Sequence, residues 1–272
     1  MAQKNAWNKY KKDEIKELES LCKDYREFLD NGKTEREFVK EIVKQAEDHG
    51  YKDLKKVIKN KESLSAGDKV YAVWMNKTVA MFNIGKKKLE KGMNILGAHI
   101  DSPRMDVKQN PLYEKGGFAY LDTHYYGGIK KYQWGTIPLS IHGVFTRADG
   151  SSVNFAIGED ENDPVFCITD LLPHLGAEQN ERKLSEGIKG EELNVLIGSD
   201  TVEEEDVKEA VKLNTLILLN QKYGITERDF TRAEIEVVPA HKARDVGFDR
   251  SMIGAYGHDD RVDAYPALLA EI

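Results

Sequence analysis

Apolar residues at spacings of three and four open the chain. Between Asp13 and Leu29, the residues Ile15, Leu18, Leu21, Cys22, Tyr25, Phe28 and Leu29 fall on one side of a helical wheel, which predicts an amphipathic helix with one buried stripe. Thr34 followed by Glu37 is a capping box, in which a hydroxyl and a carboxylate satisfy N–H groups that a helix's first turn leaves without partners. It predicts a second helix that turns Phe38, Ile42 and Ala46 inward and stops at Gly50. The period then changes to two. The runs VYAVWM and TVAMFNI flank Asn76-Lys77 and predict a hairpin. The stretch Asn94 to Asp106, NILGAHIDSPRMD, reads as a short buried strand carrying Ile95, Leu96 and Ala98, ended by Ser102-Pro103.

After Asp106 the texture becomes rich in glycine and aromatic residues, with short β-like runs and no helical period until about Leu193. In the run Thr136 to Phe145, Ile137, Leu139, Ile141 and Gly143 share one strand face, while Pro138, Ser140 and His142 share the other, polar one. Asp149-Gly150 predicts a tight hairpin turn, because both residues tolerate positive φ. Thr201 with Glu204 makes another capping box, starting a helix through Val207, Ala210, Val211, Ile217 and Leu218 that Gly224 ends. Ala233 to Val238 alternates as a half-solvated strand does, and Pro239 closes it. These changes predict an α/β unit over residues 1–104 that resumes at 240–272, with a β-rich insert over 105–239.

Composition narrows the function classes. The 272 residues are 40% hydrophobic and 32% charged, an ordinary soluble balance, and no run approaches the ~20 apolar residues of a membrane span. The N-terminus lacks the apolar core of a signal peptide, so a cytoplasmic location is expected. A formal charge of −7 argues against nucleic-acid binding. Cys22 and Cys167 form no CxxC pair, so a bound metal would rest on His, Asp and Glu.

Two places carry that chemistry. Strand alternation puts His99 and Asp101 on one face, where the imidazole is either a zinc ligand backed by the carboxylate or a strand-end histidine bonded to its neighbour. His258, Asp259 and Asp260 precede an apolar stretch that begins a helix, where an aspartate either bridges two divalent cations or caps the helix.

The stretches NKTVAMFNIG, GAHIDSPRMDVK, YYGGIKKYQWGTIPLSIHG and GFDRSMIGAYGHDDRVDAYPAL resemble the aspartyl aminopeptidase, or aminopeptidase I, family of dinuclear zinc exopeptidases. The resemblance implies an α/β zinc-exopeptidase core interrupted by a β-rich, barrel-like lid, with subunits that assemble into a homo-oligomer, a dodecamer. It implies two Zn2+ ions per site, replaceable by other divalent cations, and removal of N-terminal residues from peptide substrates by metal-activated water. Carried over by position, His99 matches a terminal zinc ligand, Asp101 the carboxylate that orients it, and Asp259 the bridging ligand. His142 matches a lid histidine that supports the substrate carbonyl in a neighbouring subunit. The family's Glu-Glu pair, base and ligand, follows the bridging aspartate; this sequence stops at Ile272 before such a pair and reads as the N-terminal part of a longer enzyme. Two alternatives stay open, another metal-dependent amide hydrolase and a non-catalytic assembly module with an incomplete metal site.

Overall fold

Two helices form where the period of three and four predicts them. In the computed structural model, which describes residues 5–147, 149–203 and 206–272, α1 spans Lys12–Asn31 and α2 spans Glu35–Asp48. Thr34 caps α2 as expected: its hydroxyl accepts from the Glu37 N–H at 3.4 Å, and the Glu37 carboxylate accepts from the N–H groups of Thr34 and Lys33. Phe38, Ile42 and Ala46 are buried. The stripe of α1 is buried only at Tyr25, Phe28 and Leu29, while Leu21 is exposed, because its partners Phe38, Ile42, Tyr265 and Leu268 meet only its last two turns.

The next elements are β1 (Lys52–Asp53), α3 (Leu54–Lys59), β2 (Lys69–Trp74) and β3 (Thr78–Asn83). They build a three-stranded sheet in the order β1-β2-β3, with β1 parallel to β2. The hairpin turn sits one residue earlier than the sequence suggests: Met75 and Asn76 take φ of 51° and 57°, and Lys77 N–H closes on Trp74 C=O at 3.0 Å. A larger correction concerns residues 94–98, expected as a buried strand. They have no regular structure, and Ile95 and Leu96 are 79% and 65% exposed. A strand exists only through a ladder with a neighbour, and no strand among the described residues pairs with this run.

Residues up to Ser102 form one compact unit with Lys242–Ile272, and Pro103–His241 form a second. The second unit contains β4 (Arg104–Lys115), β5 (Phe118–Tyr126), β6 (Leu139–Thr146), β7 (Ser152–Ile157), β8 (Cys167–Ile168), α4 (Ala177–Asn180), β9 (Val195–Gly198), α5 (Ala210–Tyr223) and β10 (Ala233–Pro239). Its strands make one antiparallel sheet in the order β7-β6-β10-β4-β5-β9-β8. Bridges from Gly135 to Ile168 and from Leu139 to Phe166 tie the β8 region to the entry of β6, curling the sheet's ends towards each other. Its core gathers Met105, Leu121, Leu139, Ile141, Phe145, Val195 and Val237.

The β6–β7 turn follows its signal, with Gly150 at φ 83° and the Asp149 carboxylate accepting from the Ser151 N–H. Two other expectations do not hold. The helix expected from Thr201 begins instead at Ala210, where Glu114 of β4 accepts from the N–H groups of Val211 and Lys212 and so caps the first turn from another strand. Glu204, the other half of the expected capping box, lies outside the described residues. Nor is β10 half-solvated: it runs between β6 and β4 with Ile235 to Pro239 buried, and its Glu236 is matched by the Arg104 guanidinium at 3.3 Å.

Back in the first unit, β11 (Arg244–Val246) and β12 (Met252–Gly254) pair antiparallel and lead into α6 (His258–Glu271). Arg261, in its first turn, is fully buried, stacked 3.8 Å from the Phe38 ring centroid and bonded to the Lys33 carbonyl. Gly257 makes room for it. Its φ is 91°, and a Cβ there would stand 2.0 Å from Arg261 Nη1. Gly257→Ala is therefore expected to lower the unfolding free energy by at least about 2 kcal/mol, combining left-handed strain with overpacking. Gly50→Ala, also at positive φ but in open space, is expected to cost about 1 kcal/mol. Urea unfolding of the two variants measures the difference, and equal losses would contradict the packing role of Gly257.

Candidate metal centre

His99 leaves the irregular segment after residue 93 and is wedged between two motifs. Its Nδ1 lies 3.1 Å from both the main-chain oxygen and a carboxylate oxygen of Asp101. Its Nε2 faces Asp259 Oδ1 at 3.4 Å and Asp260 Oδ2 at 3.7 Å. His99 and Asp101 thus meet as strand alternation would place them, although residues 99–101 have no regular structure. Asp259 and Asp260 are joined by a cis peptide bond and have non-helical φ/ψ, so the helix proper begins at Arg261 and the Asp259 carboxylate projects from an extended turn. The Ser102 hydroxyl donates to the Asp259 carbonyl at 2.5 Å.

The electrostatics follow from this crowding. Partial desolvation disfavours the His99 cation, but the Asp101 main-chain oxygen and the Asp101 and Asp260 carboxylates together outweigh it, and its pKa lies above the ordinary 6.5. Asp260 is held above the usual carboxylate range by desolvation and by its contact with Asp263. A tetrahedral zinc holds nitrogen and oxygen donors at about 2.0–2.2 Å, which sets them roughly 3.3 Å apart. The 3.4 Å between His99 Nε2 and Asp259 Oδ1 is too long for a good hydrogen bond but suits two vertices of such a site. These residues fit part of a donor set; among the described residues, no group of three or more His, Cys, Asp or Glu side chains closes around one point.

His258, next to Asp259 in sequence, is turned away from this centre. Its Nε2 is 3.1 Å from the Ile253 carbonyl, and its Nδ1 is 3.0 Å from the Tyr25 hydroxyl. The carbonyl accepts only from a protonated Nε2, and burial pushes the pKa of the Tyr25 hydroxyl up to about 12. His142 lies in the second unit on the face of β6 opposite the apolar core, as the alternation predicts. That face is closed over, however: the ring is 3% exposed, with Nε2 3.0 Å from both Ser140 Oγ and Glu159 Oε1.

A family model described as Aminopeptidase I zinc metalloprotease (M18) matches residues 28–272. The chain belongs to the M18 family. It is 54% identical over 267 residues to a probable M18 family aminopeptidase 1 of Clostridium acetobutylicum, covering 98% of this chain and 57% of that protein. It is similar to the crystal structure of the Thermotoga maritima M18 aminopeptidase, with a TM-score of 0.91 and 48% identity over 99% of this chain and 58% of that one. The S. cerevisiae mApe1 dodecamer, 17% identical, shares the fold at a TM-score of 0.66 over 93% of this chain and 56% of that one. This M18 chain therefore spans under two thirds of the length of the relatives it matches.

Two residues of the M18 chain's centre escaped the sequence reading. Ser102 read only as a strand terminator and Tyr25 only as core, because their partners lie 157 and 233 residues away. The His99–Asp101 contact has a measurable consequence. In the metal-free protein, His99 is expected to titrate above 6.5, and Asp101→Asn is expected to bring that pKa down, since it removes the carboxylate that favours the cation. NMR titration of the imidazole carbons tests this; an unchanged pKa in Asp101→Asn would show that the carboxylate does not hold the ring.

Proposed function

We propose that this chain is the metal-binding part of a zinc-dependent aminopeptidase that removes N-terminal residues from peptides. One observation carries the reading: His99 Nε2 and Asp259 Oδ1 face each other at 3.4 Å while Asp101 holds the other imidazole nitrogen. Nδ1–H bonded to a carboxylate leaves Nε2 as the basic, correctly oriented lone pair of a metal ligand. Asp259, a carboxylate on an extended turn, has two oxygens to share between two cations. When bound, a zinc pair polarises the scissile carbonyl and lowers the pKa of a bound water to about 7. His99 and Asp259 would hold those ions, and Asp101 would orient His99.

Several finer assignments belong to the same proposal. The Pro103–His241 unit would be the lid domain inserted into the zinc-exopeptidase core, and copies of the chain would assemble into a homo-oligomer, as the name of the distant mApe1 dodecamer says of that protein. The location would be cytoplasmic, an assignment that rests on the sequence; no helix among the described residues is long and apolar enough to cross a membrane. His142 would support the substrate carbonyl of a neighbouring subunit. A ring 3% exposed and bonded to Glu159 reaches such a carbonyl only if that contact opens, so this assignment rests on the resemblance.

Metal analysis of two variants tests the core of the proposal. In the full-length aminopeptidase, His99→Ala is expected to lose zinc and peptidase activity together. Asp101→Asn is expected to retain much of its zinc and to lower turnover by about 10- to 100-fold, the usual effect of removing a carboxylate behind a ligand. Full zinc content in His99→Ala would remove His99 from the donor set.

A further inference from the structure

The segment that carries His99 joins no strand ladder among the described residues, yet its donor stands at a metal-compatible spacing from a turn 160 residues further on. Alternate residues anchor it. Ile100 packs against the apolar cluster of Tyr25, Phe28 and Tyr265, while the Ser102 side chain, on a residue only 2% exposed, donates to the Asp259 carbonyl. His99 and Asp101 are left pointing outward. An apolar contact such as that of Ile100 is non-directional and tolerates sliding, whereas a hydrogen bond fixes both distance and angle. The Asp259 turn is meanwhile braced from behind, because the neighbouring His258 is bonded to Tyr25 and to Ile253.

We propose that Ser102 is a positioning residue: its hydroxyl, bonded to the Asp259 main chain, sets the His99–Asp259 spacing at which the two side chains share a divalent cation. The inference rests on the reading of His99 and Asp259 as metal ligands. Ser102 touches neither the metal nor the substrate in this role; it locks one ligand-bearing segment to the other. The carbonyl it holds belongs to the same residue as the bridging carboxylate, so a rotation of the turn that breaks this bond also moves Asp259 Oδ1 relative to His99 Nε2.

Cobalt serves as the probe, since bound Co2+ reports its donors in its visible absorption bands. The full-length wild-type enzyme and its Ser102→Ala and Ser102→Thr variants are titrated with Co2+, and the urea midpoint of each metal-free protein is measured alongside. Ser102→Ala is expected to bind Co2+ about 10- to 100-fold more weakly with altered bands, and Ser102→Thr, which keeps the hydroxyl, to stay within about threefold of wild type. Wild-type affinity and bands in Ser102→Ala overturn the proposal, whatever happens to its urea midpoint. If Ser102→Ala does not fold, Ser102→Gly, which also lacks the hydroxyl, is judged by the same criterion. No Co2+ uptake by the folded full-length wild-type enzyme overturns the metal reading itself, so the two failures are distinguishable.

Discussion

A guanidinium that water does not reach fixes the arrangement of the first unit. Arg261 is buried against Phe38 and bonded to the Lys33 carbonyl, so the first turn of α6 is pinned to the junction of α1 and α2. A buried cation tolerates little displacement, because moving it from its partners leaves a charge without solvent or counterpart. The consequences reach the chemistry. Gly257 must stay without a side chain to admit the guanidinium, and the two residues of the turn between His258 and Arg261 have non-helical φ/ψ. That turn presents the Asp259 carboxylate to His99, and Ser102 and Tyr25 hold it from either side. The candidate metal centre is thus tied to the packing of the core beneath it.

The second unit uses buried charge for register. Glu236 of β10 stands opposite Asp106 of β4 on one side and His142 of β6 on the other, so three ionisable residues form a row across adjacent strands. Arg104 lies 2.8 Å from Asp106 and 3.3 Å from Glu236, placing one cation between two carboxylates, and stacks on Tyr126. A slip of β10 by one residue would turn Glu236 into the apolar core and Val237 out of it, so the polar row and the core specify the same pairing.

Signals that close within a few residues were legible in the sequence, and those that close across the chain were not. The Thr34–Glu37 box and the Asp149-Gly150 turn act where they stand, and both formed. Residues 94–98 have the composition of a strand but pair with no strand among the described residues, the first turn of α5 is capped by Glu114 from 97 residues away, and β10 is covered on both faces. At the site, no spacing rule joins His99 to Asp259; the family resemblance named the pair, and the structure brings them together. What the resemblance did not name are the residues around them. His258 is engaged through both ring nitrogens, and Ser102 carries a contact that a reading of local pattern assigns to nothing.

The most direct measurement is an anomalous difference map collected at the zinc edge from crystals of the protein grown with zinc. If His99 and Asp259 share a metal, the map has a peak about 2.0–2.2 Å from both His99 Nε2 and an Asp259 carboxylate oxygen, with Asp101 still bonded to His99 Nδ1. A zinc peak that touches neither residue, with His99 Nε2 bonded directly to Asp259, would contradict it.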